Sequence, residues 1–441
     1  MISKSILNVR QAVYVRSALD IGVIVSLTAA HVLFGAERTN ATFAFAIIIF
    51  FLAIARVLSA GFEFPTVGIA AAASIGALWV VFGGAGRWDV ANAEIAALAA
   101  GGGIWLLGAC IASQKRDIEF FWTALMWALV GYCTFALIVF FSSPIADVRS
   151  RMNATFVSPN TAASLFVLCV LLAGGRLSRQ MRRRIRSSAA TLSPMDRILR
   201  LALAPLLLFL VAGAGLLMTN SRAGLGLGIA ALMCLFLFET VAYEPENERG
   251  RQSSKFRRAG PLTAIGLLVL AIAIVVAIGD TSFAQRIDGA AEDMAGRGEV
   301  FAILSDLWTD RPIFGHGLGS FNDVKNQAEN LDNAAMLHTL GAAHNVVLQW
   351  LIQAGAVGTG GMAAILIAIH VPIVRNLISN HARQTHMARI AICATLYLFL
   401  HGQLDYALEI PSIMWFYALI LGLAWGERFA SDAGRPVEIR E

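Results

Sequence analysis

Charge is scarce in this chain. Asp, Glu, Lys and Arg make up only 14% of its 441 residues, against roughly 25% in an ordinary soluble domain. With 57% hydrophobic residues, a soluble fold would need many helices that are apolar on every side, an arrangement that belongs in lipid. Cysteine is also sparse. The five residues Cys110, Cys133, Cys169, Cys234 and Cys393 all fall inside apolar runs. Their spacing suits neither a zinc site nor a disulfide framework, so they read as small buried hydrophobes. Missing as well are the phosphate-loop Gly-x-x-x-x-Gly-Lys pattern, a His-Glu-x-x-His or carboxylate cluster, and a Gly-x-Ser-x-Gly elbow. These absences remove nucleotide hydrolysis, metal-ligand chemistry and serine-elbow hydrolysis from the expected functions. No cofactor and no metal site is expected. Acidic residues within the apolar runs are few, which argues against a proton- or sodium-driven carrier.

What is present is a series of apolar runs near the ~20 residues that cross a bilayer. They predict an all-α, polytopic transmembrane helical bundle of about twelve spans, at 18–36, 41–60, 65–83, 90–112, 119–141, 160–175, 198–218, 222–243, 261–279, 350–374, 387–408 and 411–426. Several runs are rich in Gly and Ala, which lets helices approach closely in lipid. No cleavage site follows the first run, so it is expected to act as an uncleaved anchor.

Basic residues then set the direction of each span. With the N-terminus in the cytoplasm, all but nine of the 34 Lys and Arg residues fall on the cytoplasmic side. The strongest signals are Arg182-Arg183-Arg184 and Arg257-Arg258. Twelve spans return the C-terminus to the same side. Topology and the anionic inner leaflet account for these basic runs without a nucleic-acid partner. The exceptions are Arg38, Arg87, Arg149, Arg151, Arg222, Arg286, Arg297, Arg311 and Lys325. Each is either an ordinary solvated loop residue or a ligand for something anionic.

Three divisions follow: residues 1–279 with spans one to nine, a loop of 280–349 on the outer side, and residues 350–441 with the last three spans and a cytoplasmic tail. The loop is too long for a turn and is expected to be structured. From Gly296 to Thr309 an amphipathic helix is predicted, with Val300, Phe301, Leu304, Leu307 and Trp308 on one face; Pro312 ends it. A second helix is predicted from about His344 to Ala354. The segment reads as a lid over the outer ends of the spans.

Candidate chemistry gathers on that outer side. Arg222, in Thr219-Asn220-Ser221-Arg222, lies at the short junction of the seventh and eighth spans. It either snorkels to lipid phosphate or binds an anion at a helix start, where backbone amides point the same way. Arg297, in Gly296-Arg297-Gly298-Glu299, offers a planar fork that fits phosphate oxygens, or a surface salt bridge to Glu299 or Asp293. His344, in Ala343-His344-Asn345, has the side chain best matched to proton transfer near neutral pH, or serves as a structural cap. His316 and His338 are rivals; His316 sits in Gly315-His316-Gly317-Leu318-Gly319, whose amides suit an anion cradle. Ser221, Asn345 and Arg151 are further binding candidates. Asp405 suits the orientation of a base or the binding of a sugar hydroxyl, or is a solvated loop residue.

Taken in series, these motifs resemble one family. Thr219-Asn220-Ser221-Arg222-Ala223-Gly224 is similar to the Ser-Arg-x-Gly segment of bacterial O-antigen ligases and polysaccharide polymerases. Gly296-Arg297, followed by Trp308, Pro312, Gly315, Gly317, Gly319 and Phe321, resembles the pattern of their periplasmic loop. His344-Asn345, then Leu348, Gly355 and Gly358, resembles their histidine motif. The likeness covers about Val157 to Ala356; the first 150 residues share only hydropathy. It implies a bacterial inner-membrane transferase moving a glycan from a polyprenyl (undecaprenyl) pyrophosphate carrier to an acceptor hydroxyl at the periplasmic face. Arg222 and Arg297 would hold the pyrophosphate, and His344 would activate the hydroxyl. Partners would be the lipid-linked donor, a glycan or lipid A-core acceptor, and membrane lipid. A ligase using the lipid A-core is expected first. A polymerase joining lipid-linked repeat units uses the same chemistry. A flippase or exporter of lipid-linked sugars is disfavoured by the lack of an internal repeat of spans.

Overall fold

A computed structural model describes residues 2–60, 88–114, 118–142, 151–186, 202–241, 298–338, 340–378 and 385–432. Among them there is helix, turn and loop, and no strand. The long helices are α1 (Ile2–Val32), α2 (Thr39–Ala60), α3 (Trp88–Ser113), α4 (Ile118–Ser142), α5 (Pro159–Arg186), α6 (Leu203–Met218), α7 (Arg222–Val241), α11 (Val346–Ile378), α12 (His386–His401) and α13 (Pro411–Asp432). Between α7 and α11 lie three shorter ones: α8 over 298–310, α9 (Phe321–Ala328) and α10 (Ala334–Leu337). Ten of the twelve expected spans are thus helices. The third and ninth, at 65–83 and 261–279, lie outside the described residues. Seven of the described helices are long and apolar enough to cross a membrane by length and composition. The chain is a polytopic helical membrane protein.

The helix limits differ from the expected spans for local reasons. α1 starts well before residue 18, because Ile2 to Arg16 is free of Gly and Pro and nothing stops the helix from extending. α5 was expected to end at 175 but runs on to Arg186. Its first part is the centre of the bundle: 89% of its apolar window is buried, against 28% for that of α7.

Helix contacts sort the chain ends into two layers. In one layer Arg16 and Arg56 both reach the Gln114 carboxamide, Arg176 meets Glu119 at 2.8 Å, Arg389 meets Glu239 at 3.0 Å, and the Glu427 carboxylate accepts the Met387 amide at 2.7 Å. In the other, Thr155 donates to the His31 carbonyl, the Met152 amide to the Met218 carbonyl, and the Val346 amide to the Gly402 carbonyl. Helices that alternate in direction must gather their ends this way. Most of the basic residues expected in the cytoplasm, as far as they are described, sit in the first layer.

Charge inside the bundle is richer than the sequence reading allowed. Asp20 and Arg56 lie buried on α1 and α2 and meet at 2.9 Å. Glu239 on α7 is buried beside Arg389 and His386 of α12. An unpaired charge in hydrocarbon is costly, so these residues persist by pairing across helices.

Glycine sets the tightest packing. α13 runs along α3. A Cβ on Gly108 of α3 would come within 2.8 Å of the Leu419 carbonyl, and Gly422 and Gly426 of α13, one turn apart, face the Trp105 and Ala109 carbonyls. Small residues spaced four apart bring two backbones into contact. Trp415 then donates its indole N–H to the Ala97 carbonyl at 2.8 Å.

The loop helices form a second, smaller core. Leu304, Leu307, Phe321, Ala343, Leu348 and Ile352 are buried together, with Val300, Phe301 and Trp308 packed against them. All five residues expected on the apolar face of the loop helix take part. Among the described residues that helix covers 298–310, one residue past the expected end at 309; residues 296 and 297 lie outside the described residues.

Candidate functional site

Two helix starts frame the candidate site. α7 begins at Arg222. Before it, Asn220 takes a left-handed backbone with φ of 50°, a region that asparagine tolerates better than most residues. The Ser221 hydroxyl accepts the Gly224 amide at 3.2 Å, and the Thr219 hydroxyl accepts the Ser221 amide at 3.3 Å. Ser221 is buried and spends its oxygen capping the helix. Arg222, in the first turn, is exposed. At a helix N-terminus the dipole and the free amides favour an anion, and Arg222 adds a full positive charge. Arg151 braces this junction: its Nε donates to the Thr219 carbonyl at 3.1 Å, and its terminal nitrogen to Asn160 at 2.8 Å.

α11 begins in a similar way. His344 has φ of 49°, and the Asn345 side-chain oxygen accepts the amides of Val347 and Leu348 at 3.1 and 3.0 Å. That use of Asn345 is a cap, which leaves its oxygen committed to the helix rather than to a substrate. The His344 ring stands nearly perpendicular to Tyr406, with centroids 5.1 Å apart. Its Nδ1 lies 3.9 Å from an oxygen of Asp405; the histidine side chain is 34% exposed and the aspartate 0%. Thr161 on α5 donates to the other Asp405 oxygen at 3.3 Å. Buried Asp405 therefore faces an accessible imidazole, which is the placement a base needs from an orienting carboxylate. Burial, then the Asp405 charge, pushes the Tyr406 phenol up to about 12, so Tyr406 is a neutral donor at physiological pH.

The first turns of α5 meet the carboxylate behind His344 on one side and the start of α7 on the other. Thr161 holds Asp405, and Ala163, two residues on, is so close to Gly224 that a Cβ there would sit 2.7 Å from the alanine methyl. One turn of α5 thus links the base side to the arginine side. Sequence reading named Asp405 but missed Thr161 and Tyr406. Threonine at the start of an apolar span carries no distinctive signal.

The glycine turn has another use than the anion cradle expected of it. α11 is broken at Gly355, with φ of 63° and ψ of −172°, a conformation nearly confined to glycine. The amides of His316 and Gly317 donate to the freed carbonyls of Ile352 and Gln353 at 2.9 and 2.8 Å, and the amides of Ala356 and Val357 donate to Pro312 and Ile313 at 2.8 and 3.0 Å. Gly319 N–H donates to the Gln353 side chain at 2.7 Å. In a membrane protein a helix break needs such partners for its backbone, and the 312–319 turn supplies them. Those amides are spent on α11. The His316 ring nitrogen Nε2 is 2.8 Å from the Leu307 carbonyl, fastening α8 to the turn. His338 faces Glu329 at 3.0 Å with its side chain 78% exposed. Arg297 lies outside the described residues.

Comparison with known proteins adds one match. Residues 207–363 match the family model described as O-antigen ligase. The segment contains Ser221, Arg222, Arg297, His316, His338, His344 and Asn345; Arg151, Thr161 and Asp405 fall outside it. No curated protein matches the chain.

Proposed function

We propose that this chain, which is similar over residues 207–363 to the family model described as O-antigen ligase, transfers a glycan from a polyprenyl pyrophosphate carrier to an acceptor hydroxyl. Its site faces the periplasm, with both termini in the cytoplasm and the chain in the bacterial inner membrane. The basic residues of the opposite layer support that orientation. The lid-like division of 280–349 belongs to the same proposal.

One observation carries the reading: a partly exposed histidine backed by a wholly buried aspartate, His344 and Asp405 at 3.9 Å, with Asp405 held by the turn of α5 that also packs against the start of α7. In the proposed step the acceptor oxygen bonds to the anomeric carbon while the bond from that carbon to the phosphate oxygen breaks. The pyrophosphate leaves with the electron pair, and His344 takes the hydroxyl proton. Arg222 and Arg297 meet the charge that grows on the leaving group; removing one such donor costs ~2.7–4 kcal/mol. The attack is in line, so the anomeric configuration inverts. An α-linked product from an α-linked donor would sink that stereochemistry.

The acceptor is proposed to be the lipid A-core, which makes the chain a ligase. A deletion strain tests it. Long polymer left on the carrier supports the ligase; single repeats only would reassign the chain as a polymerase. Donor trapped on the cytoplasmic side in Arg222→Ala cells would instead mean transport.

A further inference from the structure

A cavity of about 840 Å³ lies between α2, α3, α11 and α13, within the ~300–1,000 Å³ of ligand pockets. It is elongated: both Glu94 and Leu106 of α3 line it, and the helix between them rises about 18 Å at 1.5 Å per residue. One end reaches Leu318, Trp350 and Glu409, beneath the loop core and four residues from Asp405. The wall on α2 includes Ile54 and Leu58, which are 59% and 72% exposed, so the cavity communicates with the lipid side of the bundle.

The few polar groups in its wall are unequal. Tyr417 is engaged with the Thr395 hydroxyl at 2.8 Å, and Gln353 holds the Gly319 amide. Glu409 accepts the Trp350 indole N–H at 3.1 Å. Glu94 is half-buried, lines the cavity, and receives no hydrogen bond from any described residue. Burial, and then Glu94 itself, raises the Glu409 carboxyl to about 8. Two acidic groups thus stand at one end of an apolar channel: Glu409 has the Trp350 N–H as a donor, and Glu94 has none among the described residues.

We infer that this cavity is a lipid-binding site for a long aliphatic chain whose head group donates hydrogen bonds to Glu94 and Glu409, a hydroxyl or an ammonium, and that it rejects phosphate heads. A phosphate would meet acceptor oxygens or negative charge, with no cation among the described lining residues to offset either. A hydroxyl satisfies a carboxyl in either protonation state, and an ammonium satisfies the ionised form. The site is separate from the arginine-bearing helix start proposed for the pyrophosphate, so it takes a different amphiphile from the donor.

Photolabelling of the full chain in nanodiscs decides this. The probes are a diazirine-bearing long-chain alcohol, the matching primary amine and the matching alkyl phosphate, with labelled peptides mapped by mass spectrometry. Labelling of α3 between Glu94 and Leu106 by the alcohol or the amine, at least tenfold above the phosphate, is expected. Labelling by the alcohol identifies a neutral head, and by the amine alone an ionised carboxyl pair. Gly102 lines the cavity and a Cβ there meets nothing within 4 Å, so Gly102→Phe fills the channel without a backbone clash and should abolish the label. Glu94→Gln with Glu409→Gln should raise phosphate labelling to within a few-fold of the alcohol. Equal labelling by phosphate in the unmodified protein, or labelling that survives Gly102→Phe, overturns the proposal. The transfer reading stands or falls separately, because Arg222→Ala should lose product and keep the label.

Discussion

α7 and α11 start alike. Each is preceded by a non-glycine residue in the left-handed region, Asn220 at φ 50° and His344 at φ 49°. Each is capped by the next residue, Ser221 or Asn345. The functional side chain sits on opposite sides of the cap. Arg222 lies inside the first turn, where it adds to the helix's own field and stays exposed. His344 lies before the cap, outside the helix, where its ring turns toward Tyr406 and Asp405. The same local device therefore places the proposed anion-binding group in one case and the proposed proton-accepting group in the other. A helix start favours negative charge and disfavours a protonated imidazole, so the base belongs before the helix and the arginine's anionic ligand belongs over it.

Substitutions test that division of labour. The largest effect is expected for His344→Ala, a loss of ~10²–10⁴-fold in transfer rate with lipid-linked donor accumulating outside; near-wild-type turnover would end the case for a base at this position. Arg222→Ala should cost ~10²–10³-fold, and Arg222→Lys should recover only part, since a point charge cannot reproduce the bidentate fork. If both arginine variants turn over equally, a forked contact is absent.

Stability effects come next. Gly355→Ala places a Cβ in a glycine-only conformation and against the Ile313 carbonyl, which should cost ~1–3 kcal/mol, read as a lower Tm in detergent. Ser221→Ala and Asn345→Ala should each cost ~0.5–2 kcal/mol. Equal losses from the two would fit the equivalence of the caps; a loss at one alone would break it.

The smallest signal is expected from pH. Glu409 has its folded pKa raised from 4.5 to about 8, so the folded state binds the proton more tightly than the unfolded chain. Stability from this group is present in full below about 4.5, declines as pH rises through the window up to about 8, and is level above it. Glu409→Gln should flatten that part of a Tm-against-pH curve. An unchanged slope would show that the carboxyl is ionised in the fold throughout.

Much of this arrangement was legible as pattern. The spacing of Val300, Phe301, Leu304, Leu307 and Trp308 gave away α8 and its buried face, because a helix repeats every 3.6 residues whatever surrounds it. Arg222 stood out because a charge at a short outer junction has few innocent reasons to be there. The break in α11 did not stand out. Apolar residues run through Gly355 on both sides, and the turn that satisfies the broken backbone lies some forty residues earlier. The glycines of the Gly315–Gly319 run suggest a cradle for a ligand, yet the partner of that turn is the protein's own helix.

The same distinction holds across the rest of the molecule. The amino-acid sequence alone determined that the chain crosses a membrane many times, which outer residues carry unusual charge, and where the first helix of the loop lies, though not α9 or α10. These are properties of composition and short-range periodicity, and they survive any tertiary arrangement. Only the folded structure decided that Asp405 backs His344, that Thr161 holds Asp405, that Asp20 neutralises Arg56, and that an acid-ended channel opens beside the site. Each depends on partners distant in the chain. In a medium with little water to satisfy a stranded polar group, the choice of partner is made by which helices pack together.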